Sequence, residues 1–63
     1  MIQIINTQRG RATDTFVVEV DGSIDEHTDR DLAVAAGYNA SHFWFNVVRH
    51  DDVNRATVQL HKD

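Results

Sequence analysis

Hydrophobic and polar residues alternate along several stretches of the chain, and this two-residue period predicts β-strands that each bury one face. The alternation is clearest in residues 13–20 (TDTFVVEV) and residues 55–61 (RATVQLH). Their hydrophobic sides consist of Phe16, Val18 and Val20 in the first stretch and of Ala56, Val58 and Leu60 in the second. Residues 2–7 are predicted to form another strand. The first third of the chain is therefore predicted to be a β-hairpin.

A short helix is predicted after the turn at Asp21-Gly22. Two starts are compatible with the sequence: Ser23 and Glu26, three residues later, fit the pattern of a capping box, and Thr28 offers a second possible start. In either case carboxylates fall in the first turns, where the positive end of the helix dipole favours them. Gly37 is suited to the left-handed conformation that commonly ends a helix.

The stretch after this helix, residues 41–50 (SHFWFNVVRH), admits two interpretations. In the first, the helix and this stretch form a helix-turn-helix, on the basis of Leu32, Ala33, Ala36, Gly37, Ser41, His42 and Phe43. At this spacing, these residues resemble the first helix-turn-helix of AraC-type transcription regulators. The resemblance implies a DNA-binding regulator that uses residues 28–49, with Ser41 capping a recognition helix that enters the major groove.

In the second interpretation, which we favour, residues 42–49 form a β-strand. A helix here would carry large hydrophobic side chains on nearly all sides, whereas a DNA-reading helix needs a polar or basic outer face. Aromatic and β-branched residues at this density favour a strand. The strand would place Phe43, Phe45 and Val47 on one face and His42, Trp44, Asn46 and Val48 on the other.

The predicted fold class is α+β, with residues 1–63 as a single small ββαββ domain. Two hairpins form an antiparallel sheet, and one helix packs on one face of it. The predicted core consists of Ile2, Ile4, Phe16, Val18, Val20, Leu32, Ala35, Ala36, Phe43, Phe45, Val47, Val58 and Leu60.

The composition is that of a small folded domain, with 63 residues of which 41% are hydrophobic and 25% charged. The chain has no Cys, so disulfides do not support the fold. No hydrophobic run is long enough to span a membrane and the start lacks signal-peptide features, so we expect a cytoplasmic protein. The four His residues lack the spacing of metal ligands, and we expect no metal, no cofactor and no enzymatic activity.

Two surfaces are predicted to bind other proteins. The net charge is −4, and residues 14–31 hold seven of the ten acidic residues but only one of the six basic ones. We predict an acidic binding surface formed by Asp21, Asp25, Glu26, Asp29 and Asp31. On the sheet face that the helix leaves uncovered, we predict apolar contacts from Val17, Trp44 and Val48.

These features lead to one main functional hypothesis and two alternatives. The main hypothesis is a small acidic, non-catalytic binding or inhibitor protein that occupies a basic surface of a protein partner. In kind it is similar to the small inhibitors encoded by phages and mobile elements, such as anti-CRISPR and anti-restriction proteins. The alternatives are the helix-turn-helix regulator, which binds DNA, and a small homo-oligomeric structural or assembly protein.

Overall fold

The computed structural model describes residues 1–50 and 54–62 and shows a small α+β domain with the element order ββαββ. The strands are β1 (Ile2–Arg9), β2 (Thr13–Val20), β3 (His42–His50) and β4 (Arg55–Lys62). The helix α1 (Asp29–Ala36) follows a short 3-10 helix (Ile24–Glu26). The strands form one antiparallel sheet in the order β1-β2-β4-β3, so the two hairpins meet through the central strands β2 and β4. This confirms the predicted fold class.

Both predicted helix starts are used, but for different elements. The hydroxyl of Ser23 accepts a hydrogen bond from the amide of Asp25 and opens only the 3-10 helix, so α1 does not begin there. Helix α1 begins at the second start, where the side chains of Thr28 and Asp31 each accept a hydrogen bond from the other's backbone amide, at 3.1 and 3.3 Å. Gly37 has a φ of 112° and ends the helix, as predicted.

The core lies between α1 and one face of the sheet, which we call the helix face. Its buried side chains are Phe16, Val18, Val20, Ile24, Leu32, Ala33, Ala36, Ala56, Val58 and Leu60. Three predicted members, Ile2, Phe45 and Val47, are half-buried against it, and Ala35 is also half-buried. Two predicted members are wrong, because Ile4 is 45% exposed and Phe43 is 67% exposed.

Helix α1 is short compared with the strands on which it packs. An eight-residue helix spans about 12 Å, whereas an eight-residue strand spans about 26 Å. Helix α1 therefore covers less than half the length of the strands. The fully buried residues Val18 and Val58 lie on the central strands β2 and β4, whereas Ile4 lies on the edge strand β1.

A β-bulge in each edge strand changes which residues face the core. In β3, His42 pairs with Lys62 and Trp44 with His61, so Phe43 is an extra residue without a partner across the ladder. The extra residue places His42 on the helix face, and the prediction that His42 lies on the uncovered face is wrong. In β1, the register shifts between Ile4 and Asn6 in the same way.

The structure also decides between the two interpretations of residues 41–50. Residues His42–His50 form strand β3, so the recognition helix that the AraC-type resemblance implies is not present. The helix-turn-helix interpretation is therefore wrong for the described residues. In that same part of the chain, we find no helix with the length and hydrophobicity that membrane crossing requires.

Candidate functional site

The five carboxylates of the predicted acidic surface lie in one segment, residues 21–31, between the end of β2 and the first turns of α1. Here the name acidic surface means Asp21, Asp25, Glu26, Asp29 and Asp31, all of which are exposed. The turn, the 3-10 helix and the capped start of α1 follow one another directly along this segment. The local cause of the clustering is thus the pair of consecutive caps at Ser23 and Thr28.

Arg49 of β3 fixes this segment to the sheet. Its side chain lies on the helix face, since Arg49 pairs with the buried Ala56. Its Nη1 donates to the carbonyl oxygen of Ile24 at 2.6 Å, and its Nη2 donates to the carbonyl oxygen of His27 at 2.7 Å. Nη2 also donates to Asp29 Oδ1 at 2.7 Å. One guanidinium group therefore holds three points of the acidic segment in place.

Two members of the acidic surface have structural roles. Asp29 forms the ion pair with Arg49, and Asp31 completes the capping box with Thr28. The hydrogen bonds between Thr28 and Asp31 hold the pKa of Asp31 below its ordinary value, which keeps this carboxylate charged.

The other three carboxylates project into solvent. The side chains of Asp21 and Asp25 are 85% and 84% exposed, and Glu26 is exposed as well. Asp21 lies 3.6 Å from the terminal amine of Met1, and Asp25 lies 4.0 Å from Arg49. Ion pairs this exposed contribute little to stability. These three groups are the part of the acidic surface that is available to a partner.

The second predicted surface lies on the open face, by which we mean the sheet face opposite to α1. The strand registers arrange it in rows across the sheet. One row contains Asn6, Val17, Thr57 and Val48, and the next contains Gln8, Thr15, Gln59 and Asn46. Val48 is 55% exposed and Val17 is half-buried. Both predicted valines thus share one row, where they flank Thr57.

Trp44 lies on the open face in the row that follows these two, opposite His61, and it does not enter the core. The Trp44 ring stacks on the His61 ring with the two centroids 3.6 Å apart, and Trp44 is 48% exposed. His61 is held by Thr13 Oγ1 at 3.1 Å and by Asn46 Oδ1 at 2.7 Å. Asn46 in turn donates to Gln59 Oε1 at 3.0 Å. The indole therefore rests on an ordered polar network with its outer part in solvent.

The structure does not bring the two surfaces together. Arg49, which is bonded to the acidic segment, lies five residues from Trp44 along β3, a distance of about 17 Å. The acidic segment also lies on the helix face, whereas Trp44 and the two valines lie on the open face. A flat partner surface cannot contact the acidic surface and Trp44 at once.

One charged cluster was not predicted from the sequence. Asp14 is buried at 3% exposure on the helix face, where Lys62 Nζ lies 2.9 Å from its Oδ1. Arg9 and His42 approach its other carboxylate oxygen at 3.5 and 3.8 Å. The positive charge of Lys62 beside Asp14, opposed in part by burial, lowers the pKa of Asp14. The alternation of β2 contained the signal, because Asp14 has the same parity as Phe16.

Potential metal ligands and acid–base residues are the remaining chemically active groups of the described chain. Across residues 1–50 and 54–62, no three His, Asp or Glu side chains are grouped so that they could hold a metal ion. In the stretch His50-Asp51-Asp52, whose residue types are able to perform acid–base chemistry, Asp51 and Asp52 lie outside the described residues. His50 itself contacts Thr57 Oγ1 at 2.9 Å on the open face.

Comparisons with known proteins add no functional assignment. No protein-family model, no curated protein and no solved structure matches this chain.

Proposed function

We propose that the protein is a non-catalytic binding protein that uses the acidic surface to occupy a basic surface of a protein partner. The proposal rests on one observation. Arg49 and the two caps hold the segment in place, while the side chains of Asp21, Asp25 and Glu26 project into solvent. A rigid surface loses little conformational entropy on binding, and this favours affinity.

The proposed mechanism combines electrostatic steering with steric blocking. Exposed carboxylates speed the encounter with a basic surface and disfavour binding to acidic ones. If the occupied surface normally binds a phosphate-rich molecule, the protein inhibits that interaction by competition, as in the phage-encoded inhibitors to which it is similar in kind. No catalytic step is required. Since the open face is remote from the acidic surface, Trp44 is not part of this proposed contact.

The test uses two variants with the same net charge. The variant D21N/D25N/E26Q removes the three solvent-projecting carboxylates and leaves Asp29 and Asp31 in their structural roles. The control Q3K/N6K/Q8K raises the net charge equally at exposed positions of β1. Each tagged protein is used to capture partners from a lysate of the source cells, which are then identified by mass spectrometry.

We expect a stoichiometric protein partner that the wild type and the lysine control retain and that the carboxylate variant loses. Its dissociation constant should rise with salt concentration, and less steeply for the carboxylate variant. A partner that all three proteins retain equally would count against the acidic surface. A partner that both variants lose equally would show that only net charge matters.

A further inference from the structure

The two edge strands of the sheet differ in how well they are protected from pairing with another strand. An edge strand presents unpaired backbone N–H and C=O groups, and bulges, lysines and prolines are the usual protection. In β1 the bulge lies mid-strand, between Ile4 and Asn6, and divides the edge. In β3 the bulge lies at the start, so residues 44–50 form an uninterrupted edge.

The uninterrupted part of β3 is hydrophobic on both faces. Trp44 and Val48 are exposed on the open face, at 48% and 55%. Phe45 and Val47 are half-buried at the border of the core on the helix face. Between residues 44 and 48 there is no charged residue and no proline. The usual protection against strand addition is therefore missing from this segment.

We propose that β3 pairs with β3 of a second copy of this chain, antiparallel about a two-fold axis at Asn46, and so joins two sheets into one. In this register Trp44 lies opposite Val48 of the second copy on the open face. Phe45 lies opposite Val47 of the second copy on the helix face. Cross-strand pairs of aromatic and β-branched residues are the contacts that stabilise antiparallel strands.

Neighbouring registers are less favourable. A two-fold axis at Phe45 places Trp44 opposite the polar Asn46, and an axis at Val47 places Phe45 opposite Arg49. The axis at Asn46 pairs all four hydrophobic residues with one another. At the axis, the Asn46 amide already has its partners Gln59 and His61 within its own chain, so pairing leaves it satisfied.

The charges at the two ends of β3 also favour an antiparallel partner. At the Arg49 end of the strand, the three carboxylates of Glu19, Asp25 and Asp29 outnumber the two cations Arg49 and Arg55 among the described residues that form ion pairs there. Among the described residues at the His42 end, three cations, Arg9, Arg11 and Lys62, outnumber the single carboxylate of Asp14. The two-fold axis brings the acidic end of each copy beside the cation-rich end of the other. A second copy thus fits this edge in both hydrophobic pattern and charge.

The register is tested by disulfide cross-linking, which is selective because the chain has no Cys of its own. In N46C the two introduced thiols meet at the axis, within reach of a disulfide. In the control V48C, the two thiols lie about 13 Å apart, four residues along the strands. Val48 is the more exposed position, so random collision would favour the control.

We expect N46C to form a disulfide-linked dimer about tenfold faster than V48C under mild oxidation, since only the first pair satisfies disulfide geometry. A mixture of W44C and V48C should give the heterodimer. Cross-linking of V48C at the rate of N46C would overturn the register. The readout contains no binding partner, so it is independent of the proposed function.

Sedimentation equilibrium of the unmodified chain provides the second measurement. We expect a species of twice the 7.2 kDa chain mass to grow as concentration rises from micromolar to millimolar. V48K, at an exposed position, should be monomeric with an unchanged circular dichroism spectrum. A wild type that stays monomeric throughout, or a dimer that V48K leaves intact, would overturn the proposal.

Discussion

Replacing Arg49 with methionine removes the guanidinium group that joins β3 to the acidic segment while it keeps most of the apolar stem. The lost bonds are those to the carbonyl oxygens of Ile24 and His27 and the ion pair with Asp29. Ile24 is a buried member of the core, at 7% exposure, so the segment that Arg49 holds also supports the packing. We expect R49M to destabilise the whole domain.

The magnitude follows from the burial of the three bonds. Hydrogen bonds to charged groups contribute roughly 1.5–3 kcal/mol each, and the two carbonyl bonds of Arg49 are partly buried. The carbonyls can bind water in the variant, so the lower end applies, and the exposed ion pair adds at most about 1 kcal/mol. We expect a loss of about 3–4 kcal/mol. For a domain of this size, that lowers the Tm by roughly 15–30 °C.

The assay is urea and thermal unfolding followed by circular dichroism. R30M is the matched control, since Arg30 is an exposed neighbour of the same segment and carries the same charge. We expect R30M to change the free energy of unfolding by less than about 0.5 kcal/mol. R49K should fall between R49M and the wild type, because one ammonium group cannot reproduce the planar fork. Equal stability of R49M and R30M would refute the reasoning.

Two further predictions concern the buried carboxylate and the helix end. Because the folded-state pKa of Asp14 lies below its ordinary value of 3.8, its contribution to stability is complete above that pH and is lost as the pH falls through the folded pKa. D14N should therefore lower the Tm at neutral pH and flatten its fall on acidification, whereas D21N should do neither. G37A should cost about 1–2 kcal/mol in urea unfolding, entirely from the backbone, because φ is 112° and an added Cβ meets nothing within 4 Å.

The sequence was sufficient where structure depends on local pattern. Strands β2 and β4 were predicted from their alternation, and the end of α1 from Gly37, since each signal lies within a few neighbouring residues. The buried position of Asp14 was equally predictable from its parity in β2, but its charge suggested a surface residue.

The remaining features depend on contacts between distant parts of the chain. Arg49 donates hydrogen bonds to backbone carbonyls 22 and 25 residues away. The pattern of side chains in the sequence does not show which carbonyls will accept such bonds. Ile24 is buried, but the 3-10 helix that contains it is too short to show a periodic pattern of hydrophobic residues. The residues of the predicted acidic and apolar surfaces are exposed, apart from half-buried Val17. Only the three-dimensional fold shows that the two surfaces lie on opposite faces of the sheet.

The bulge at Phe43 leads to a last prediction. Because Phe43 has no partner across the ladder, its deletion should leave the pairing of β3 with β4 intact. Deleting Phe43 leaves His42 opposite Lys62 and Trp44 opposite His61, so each side chain keeps its face. The lost side chain is 67% exposed. We expect the free energy of unfolding to change by less than about 1 kcal/mol.

Deleting Val47 is the control, since it also removes one residue from β3 but from its regular part. Every side chain before the deletion then moves to the opposite face, which takes Phe45 away from the core and turns Trp44 toward it. We expect this variant to unfold or to lose several times more stability than the Phe43 deletion, as measured by urea unfolding. Both variants have the same length, so they can be compared directly. Equal losses of stability would mean that Phe43 is not the extra residue. They would also mean that the bulge does not cause His42 to lie beside Asp14.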